Sequence, residues 1–440
     1  MGVESEYNRR GPVLTLSMID GDEPDVYFDQ EETGKRFLRL MHEDVDSGAD
    51  RLIVELANHD LAMLDDQRLK AGEIIRASWG YIGAMTPPRD LVIKKITGFE
   101  RLKIEGHSKI VLADIDEKSN TFIDMKISDV AQIMAARHGY VNPWVWVEDS
   151  GEILPHIHQA GETDAKFLKR LANRLGWRLY ADHTGFHFHS LALWSPPVKV
   201  YSYGYEVDGS HPGGDIIGKP TFRADFSRAA GIIKIVGRNP ITGEEFEVKA
   251  GNQETDRDGL GKILEVEDPA RIGGSKVMAR VGRGLTRGVP GTRATAEQIA
   301  RNNYINSAAR HYELKLNVKG DPMVAAKQIV EVWGISDYLS GSYYVKTCKS
   351  TVTAGGYTQD LVLRKDAVGN LRRRVVQENH ARINPALAPQ AGGITKGIPK
   401  ARPHHNDAFG GQLWLYENWV DGTGKVVKWG DPIERFKGAA

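Results

Sequence analysis

The segment YYVKTCKSTVTAGGYTQDLVLRKDA, from Tyr343 to Ala367, has the pattern of one long β-hairpin. Tyr, Val and Thr recur along the first arm, Leu and Val fill the second, and Ala354-Gly355-Gly356 supplies the turn. Each arm has roughly nine to eleven residues, whereas strands usually have about 5–6. Arms of this length suit a wall or a tube better than a compact domain.

The composition excludes several classes of protein. The 440 residues favour two to four domains, and 58 Lys and Arg balance 58 Asp and Glu, so no basic field favours nucleic acid or an anionic membrane. The single cysteine, Cys348, excludes an intrachain disulfide and indicates synthesis in a reducing cytoplasm. The N-terminal sequence lacks a signal-peptide pattern and no apolar run approaches about 20 residues, so we expect no membrane anchoring.

The first hundred-odd residues are rich in strand patterns. Short apolar or alternating runs bounded by polar residues predict β-strands there. The predicted strands are 13–16, 37–40, 51–56, 72–79, 90–93 and 109–114. The segment 70–82 can also be drawn as an amphipathic helix, but its Trp-Gly ending and the neighbouring strands favour β.

A small α/β module follows. Ser128 is predicted to cap one helix, and a second helix is predicted to begin after Thr163 and to end at Gly176. The segments 177–180 and 186–189 then predict a strand pair.

From Val198 the chain is again rich in strand patterns. Residues 232–236 are predicted to pair with 245–248, and 251–292 has the composition of a loop. A predicted helix at 294–311 and strands at 313–318 and 326–333 precede the opening hairpin.

Beyond Arg374 the composition changes to Pro, Ala and Gly, which predicts an extended tail. Its end, Gln412–Trp429, predicts a hairpin turning at 421–424. So short an apolar piece cannot fold alone, so we expect it to dock elsewhere, with Trp414, Trp419 and Trp429 as anchors.

Two stretches of the chain share one plan. In each, a strand and a connector precede an Ile…Trp-Gly segment, and two further strands follow at similar spacing, about a dozen and then about eighteen residues. The matched residues are Ile75 with Ile329, Trp79 with Trp333 and Gly80 with Gly334. The order and spacing favour an internal duplication over two unrelated β-meanders.

Three segments together resemble the phage late control D family, the baseplate hub proteins of contractile tails, which are related to the N-terminal part of type VI secretion spike proteins. They are GETDAKFLKRLANRLGWRLY (161–180), KGDPMVAAKQIVEVWG (319–334) and YYVKTCKSTVTAGGYTQDLVL (343–363). The resemblance implies a mixed β fold with an α/β part: two tail-tube-like antiparallel β-barrels, a small α/β module and an extended C-terminal tail.

The resemblance and the composition together predict four regions. Residues 1–118 form the first barrel, 119–196 the α/β module, and 197–367 the second barrel with an irregular and helical excursion at about 251–311. Residues 368–440 form the extended tail with a terminal hairpin.

The resemblance implies a structural role and no catalysis. Three chains with two barrels each would form a ring of six similar barrels, which could adapt a hexameric tail tube to a three-fold spike and line the ejection channel. The implied partners are two further copies of the chain, the tube ring, a separate trimeric spike and other baseplate proteins, with the tape-measure protein as a further candidate. DNA would be only transient cargo, and the protein would belong to the virion, in the tail baseplate.

An alternative hypothesis is a metal-dependent hydrolase acting on cell wall or nucleic acid. His156 and His158, like His187 and His189, are spaced so that each pair shares one face of a strand and could hold a metal. A third ligand with its own spacing is missing, so we predict no metal, no cofactor and no catalytic residue. A monomeric carbohydrate- or peptide-binding β-protein is the other alternative.

The other candidate sites are better explained as ordinary structural features than as functional sites. The glycine-rich segment 282–288 lacks the Gly-Lys-Ser/Thr ending of a phosphate-binding loop, and Cys348 has no catalytic neighbours in sequence. The acidic residues Glu148, Asp149 and Glu152 favour a turn over a lysozyme-like pair. Residues 372–374, Arg-Arg-Arg, favour a solvated junction over contact with an acidic partner.

Overall fold

The protein is described by a computed structural model. It covers residues 11–20, 23–28, 36–66, 69–191, 195–203, 215–224, 232–239, 242–251, 281–283, 291–310, 312–336 and 339–366, together with four short strands between 401 and 427. Among these residues, no helix has the length and the hydrophobicity needed to cross a membrane.

The N-terminal part is almost entirely β-structure. Its strands are β1 (Pro12–Asp20), β2 (Glu23–Phe28), β3 (Phe37–Val45), β4 (Gly48–Ala49), β5 (Arg51–Ala57), β6 (Ile74–Tyr81), β7 (Ala84–Met85), β8 (Arg89–Gly98) and β9 (Arg101–Ser108). All except β4 belong to one sheet, in the order β2-β1-β6-β8-β9-β5-β3 with β7 beside β6. We call these eight strands the first sheet unit. Two 3-10 helices, Ala62–Leu64 and Lys109–Asp114, complete this part.

The next part is the α/β module. It contains β10 (Glu117–Lys126), α1 (Ile127–Arg137), β11 (Val145–Val147), β12 (Ile153–Thr163), α2 (Asp164–Leu175), β13 (Arg178–Asp182) and β14 (Gly185–His189). The strands form two small sheets, β10-β12 and β11-β14-β13-β4. The second of these includes β4, so it ties the module to the N-terminal part.

The remaining elements follow the module. They are β15 (Pro197–Ser202), β16 (Ile216–Ala224), β17 (Ile232–Arg238), β18 (Glu245–Gly251), β19 (Val281–Arg283), α3 (Arg293–Ala308), β20 (Tyr312–Lys319), β21 (Ile329–Trp333), β22 (Gly341–Thr353), β23 (Gly356–Lys365), β24 (Ala401–His404), β25 (Leu413–Tyr416), β26 (Trp419–Val420) and β27 (Val426–Val427). Six of them, in the order β15-β21-β22-β23-β20-β16, form the second sheet unit.

Three main hydrophobic cores stabilise these parts. The first sheet unit buries residues such as Leu16, Val54 and Trp79, and the second buries Leu314, Val345 and Leu363. The third core joins α1 and α2 of the module to β17, β18 and α3. The hairpin β17–β18 thus packs with the module, as does the helix of the excursion predicted at 251–311. The region boundaries at 118, 196 and 367 stay predictions.

Most predicted elements are present, and two details were wrong. The long hairpin is confirmed as β22–β23, with arms of 13 and 10 residues, and 74–81 is a strand, as the β interpretation predicted. Residues 109–114 are a 3-10 helix; the strand is the alternating segment 101–108 before it. Lys126 occupies the N-cap of α1, and Ser128 lies buried within the first turn.

The two predicted barrels are not closed within the described residues. Both sheet units belong to one continuous sheet of 14 strands that is open at β2 and β16. The physical reason lies in β3. One edge of this strand pairs with β5 of its own unit, but its other edge pairs with β22 of the second unit instead of closing the first. The coarser prediction, a mostly antiparallel β-protein with a small α/β part, is confirmed.

The internal repeat predicted from spacing is present in the strand order. The first unit contains β6-β8-β9-β5-β3 and the second contains β21-β22-β23-β20-β16, with every neighbouring pair antiparallel. Both copies also shift register at the same place, and the skipped residues are Lys94 on β8 and Lys346 on β22.

Backbone hydrogen bonds show which residues of the two copies correspond more precisely than the spacing of the sequence does. The N–H of Ile93 donates to the backbone carbonyl of Glu73, and the N–H of Val345 donates to that of Gln328, each at 2.8 Å. Ile93 therefore corresponds to Val345. Since Ile74 pairs with the residue before Ile93, and Ile329 with the residue before Val345, Ile74 is the counterpart of Ile329. The match of Ile75 with Ile329, and of Trp79 with Trp333, was wrong by one residue.

Candidate functional site at the joint between the sheet units

The two sheet units meet edge to edge where β3 pairs with β22. Residues Arg39–Val45 lie antiparallel to Thr353–Thr347. The same edge of β22 pairs with β21 through its first residues, 341–344. One strand therefore serves two partners in succession, and the change of partner falls at the bulged residue Lys346, whose carbonyl accepts from the Asp46 N–H at 2.9 Å.

A buried lysine links three parts of the molecule at this joint. The Lys327 ammonium, from the loop before β21, lies 2.6 Å from a carboxylate oxygen of Asp44 on β3 and 3.3 Å from one of Asp182 in the module. It also donates to the Val45 carbonyl at 3.2 Å and lies 4.6 Å from the centre of the Tyr180 ring. A cation with two carboxylates and an aromatic face is held firmly when water is excluded.

A buried arginine extends this cluster into the first sheet unit. Arg89 at the start of β8 lies 3.5 Å from Asp44 and 3.6 Å from Asp50, and its guanidinium stands 5.9 Å from the centre of the Trp79 ring. The backbone N–H of Asp50 donates to the Ser108 hydroxyl at 3.2 Å. We call five of these residues the ionic cluster: Asp44, Asp50, Arg89, Asp182 and Lys327.

The charges of the ionic cluster balance. Burial alone would raise the pKa of Asp44, but Lys327 and Arg89 outweigh it and hold that pKa below its usual value. Burial, with the nearby Asp44, raises the pKa of Asp50 to about 8, so Asp50 keeps its proton at neutral pH. Burial alone would likewise lower the pKa of Lys327, yet the carboxyls around it raise it well above its ordinary value. Two cations therefore face two carboxylates, the second being Asp182.

Three histidines beside the ionic cluster stay neutral. Burial lowers the pKa of His42 well below its usual value, that of His183 to about 4 and that of His187 to about 3. Burial opposes the ionised form of Asp182 as well, but Lys327 and the neighbouring histidines hold its pKa below the normal range. The cations Lys327 and Arg89 disfavour any further positive charge here.

The structure separates the two histidine pairs that could have held a metal. His156 and His158 are exposed on β12, and His158 Nδ1 lies 2.8 Å from the Thr121 hydroxyl. His187 and His189 share a face of β14; His187 Nε2 lies 2.7 Å from the Thr184 hydroxyl, and His189 Nδ1 donates to the Ser190 carbonyl at 2.6 Å. Within the described ranges no three metal-binding side chains come together.

The other candidate residues make local contacts. Glu148 accepts from Ser190, Asp149 from Gly151 and Lys126, and Glu152 from the Gly291 N–H, so their carboxylates serve three different sites. Cys348 is buried on β22, and burial raises the pKa of its thiol to about 12. Residues 284–288, residues 372–374 and the side chains of Trp414, Trp419 and Trp429 lie outside the described residues; the strand pair β26–β27 flanks the predicted turn.

Several sheet edges lack a partner strand in the part of the chain that the structure describes, and two of them are relevant to the joint. One is the outer edge of β16, which pairs only with β20. The other is the far half of β8, residues 94–98, because β6 and the segment before it cover that edge only as far as Ile93. Phe222 and Ile217 on β16 are 38% and 42% exposed, so the first edge presents apolar side chains.

Solved structures give the fold a context. The chain aligns with a tail protein from Neisseria meningitidis at TM-score 0.53 and 14% identity, over 81% of this chain and 97% of that one. It aligns equally with the 43 kDa tail protein of prophage MuSo2 from Shewanella oneidensis, at TM-score 0.53 and 13% identity, over 81% and 99%. No protein-family model matches the sequence, and neither does any curated protein. The likeness is one of fold.

Sequence reasoning missed the ionic cluster altogether. Its members stand at positions 44, 50, 89, 182 and 327, and each has the local context of a surface charge. No short-range pattern marks them, because long-range pairings such as β3 with β22 and β4 with β13 bring them together. One weak signal exists: Asp44, Asp46 and Asp50 lie close together at the end of β3 and just beyond it.

Proposed function

We propose that the chain is a non-enzymatic structural subunit of a contractile phage tail or a related injection machine, and that it acts as the baseplate hub. Three copies would form a ring that joins a hexameric tail tube to a separate three-fold spike and encloses the passage for the cargo. The duplicated sheet unit is the observation that carries this proposal.

The duplication supplies the symmetry that such a hub needs. Each chain presents two units with the same order of five strands, so three chains present six. Six similar units can meet six tube subunits, while the two kinds of unit keep the ring strictly three-fold for the spike. The likeness to solved tail proteins supports the same role.

The joint supports a ring made by pairing sheet edges. Within one chain the two units already meet in this way, through seven paired residues on each side. The ionic cluster holds the joint at a fixed geometry because Lys327 is shared between the carboxylates of Asp44 and Asp182, and Arg89 lies between Asp44 and the protonated Asp50. A rigid connection suits a part that must hold its shape while a tail contracts.

The partners follow from the proposed position in the virion. The tube ring, the spike, other baseplate proteins and the tape-measure protein are the candidates, and DNA is cargo that passes through. The tail at 368–440 is long enough to reach a neighbouring chain or the spike. Among the residues that the structure describes, no three potential metal ligands come together to support the hydrolase alternative.

The mass of the purified protein in solution tests the proposal. We expect a particle with three times the 48.8 kDa of the chain, by light scattering, and six similar densities around the axis in electron micrographs. A protein that stays monomeric at high concentration and in the presence of its tube protein would refute the hub.

A further inference from the structure

The joint inside the chain serves as a template for a joint between chains. It pairs β3, the outer strand of the first unit, with the far half of β22, which is the second strand in the five-strand order that both units share. The counterpart of β3 is β16, and the counterpart of β22 is β8. Both of these edges lack a partner among the described strands. The outer edges of β2 and β15 lack one as well, but they are not counterparts of the strands in the joint.

Rows of paired residues fix how the two copies of the template correspond. In the first unit the row runs Ile93, Gly106, Leu52, His42, across β8, β9, β5 and β3. In the second unit, the corresponding row across β22, β23, β20 and β16 consists of Val345, Leu363, Leu314 and Phe222. His42 and Phe222 therefore occupy the same place in their units.

The same correspondence gives a register for the second joint. His42 lies opposite Ser350, which is five residues after Val345. The residue five places after Ile93 is Gly98, and both strands contain the bulged lysine in between, so the count is the same. Phe222 therefore falls opposite Gly98, and antiparallel pairing then sets Arg223 against Thr97 and Ala224 against Ile96.

We propose that β16 of one copy pairs with the far half of β8 of the next copy, in this register, and so closes the ring. The inference rests on the hub proposed above and deepens it by assigning the surface between subunits. Each chain carries one edge of each kind, so the contact is head-to-tail and can close a ring.

The chemistry of the two edges agrees with this pairing. Phe222 would cover Gly98, and an aromatic ring over a glycine in the neighbouring strand shields an otherwise bare backbone. Ile96 would meet Ala224, so the contact is apolar at two of its three positions. An unpaired edge with exposed apolar side chains is prone to unspecific association, and a second copy that covers it removes that hazard.

Cysteine pairs test the register in the full-length chain. In the double variant Arg223→Cys, Thr97→Cys the two thiols would face each other across the joint, within the reach of a disulfide. Both native side chains are exposed, so neither change disturbs a core. The native Cys348 is buried with a raised pKa and stays out of the reaction. Under mild oxidation we expect covalently linked trimers on a non-reducing gel.

Matched controls keep the outcome decisive. Arg223→Cys with Lys95→Cys shifts one thiol by two residues on the same face of β8, beyond disulfide distance, and should remain unlinked, as should each single variant. Light scattering of the reduced protein gives the oligomeric state separately. A trimer that fails to cross-link, or that cross-links equally in the shifted pair, overturns the proposed joint and leaves the hub standing. A protein that stays monomeric overturns both.

Discussion

Lys327 occupies the centre of the contact between the two sheet units and the module. Its backbone has φ 71°, in the left-handed region that glycine adopts freely, and its counterpart in the first unit is Gly72. A lysine in this conformation carries a strain of about 1–3 kcal/mol. Its ammonium contacts Asp44 and Asp182, which a glycine at this position could not do.

Replacing Lys327 tests how much the ionic cluster contributes to stability. In Lys327→Met two buried carboxylates lose their shared cation, so we expect the free energy of unfolding to fall by about 3–5 kcal/mol. Lys327→Gly removes the same charge but relieves the backbone, and should still be clearly destabilised. Urea titration followed by tryptophan fluorescence measures both. The exposed Lys315→Met is the control and should change stability by less than about 0.5 kcal/mol; a stable Lys327→Gly would show that the charge contributes little.

The stability of the joint should depend on pH through Asp50. Its pKa is about 8 in the folded protein and near 3.8 when unfolded, so the folded state holds a proton that the unfolded state has lost between these values. The contribution of Asp50 is therefore complete below pH 4 and is lost as the pH rises to 8. Between pH 6.5 and 8 we expect a loss of about 2 kcal/mol, at about 1.4 kcal/mol per pH unit.

Asp50→Asn isolates this effect. The amide does not titrate, so the variant should lose less stability than the parent between pH 6.5 and 8, by urea denaturation at each pH. The neighbouring histidines do not mask the effect, because the lowered pKa values of His42, His183 and His187 make stability fall only as the pH drops below about 6.5. Parallel pH dependence in both proteins would contradict the raised pKa.

At the scale of elements, α3 completes the end of α2. The last carbonyls of a helix lack partners within it. The amide of Asn302 donates to the Leu175 carbonyl at 3.0 Å, and that of Asn306 to the Gly176 carbonyl at 2.5 Å. Since α3 lies some 130 positions further along the chain than these carbonyls, the contact fastens the excursion onto the module.

Gly176 is the position at which this contact can be tested. It has φ 69°, and an added Cβ would lie 2.9 Å from the side-chain oxygen of Asn303 and 3.0 Å from Asn302. Gly139 has a similar φ, 78°, and open space around it. Gly139→Ala should cost about 1–2 kcal/mol for the left-handed conformation alone. Gly176→Ala should cost more, and the difference in melting temperature measures the packing of α2 on α3; equal costs would contradict a close contact.

Elements with local signals were predictable from sequence, whereas short apolar runs were not. Thr163 and Gly176 mark both ends of α2 through a side-chain cap and a left-handed residue, and both predictions are confirmed. The run Lys109–Asp114 is as apolar as a strand, but it forms a 3-10 helix, because β9 just before it already fills the place between β5 and β8. Periodicity alone does not reveal where a sheet stops receiving strands.

At the scale of the whole molecule, the spacing of strands predicted the duplication, but the closure of each unit could not be predicted. The strand order repeats because the spacing of strands and turns along the sequence repeats. The partner of β3, by contrast, is set by an edge some 300 residues further along the chain, at Thr347–Thr353. The two closed barrels were an expectation from the family resemblance, and no pattern in the sequence indicates which edge β3 will pair with.

The C-terminal tail provides a prediction about assembly. Truncation at about residue 370 removes none of β1–β23 and none of the ionic cluster, so the proposed trimer should form as with the full chain. Attachment of the spike should weaken, because Trp414, Trp419 and Trp429 would be lost as anchors. Co-sedimentation of this protein with the spike measures the attachment, and Trp429→Ala serves as a milder variant. Unchanged spike binding would refute a role for the tail.

The ionic cluster occurs once in each chain. Its counterparts at the other edge are neutral: Ala224 stands for Asp44, Gly341 for Arg89 and Gly72 for Lys327. A ring of three copies would therefore have two alternating kinds of joint. One lies within a chain and is held by the ionic cluster. The other lies between chains, is largely apolar and can dissociate. Under force or denaturant such a ring would break at three places and release intact arcs of two units each, which would be its natural building blocks during assembly.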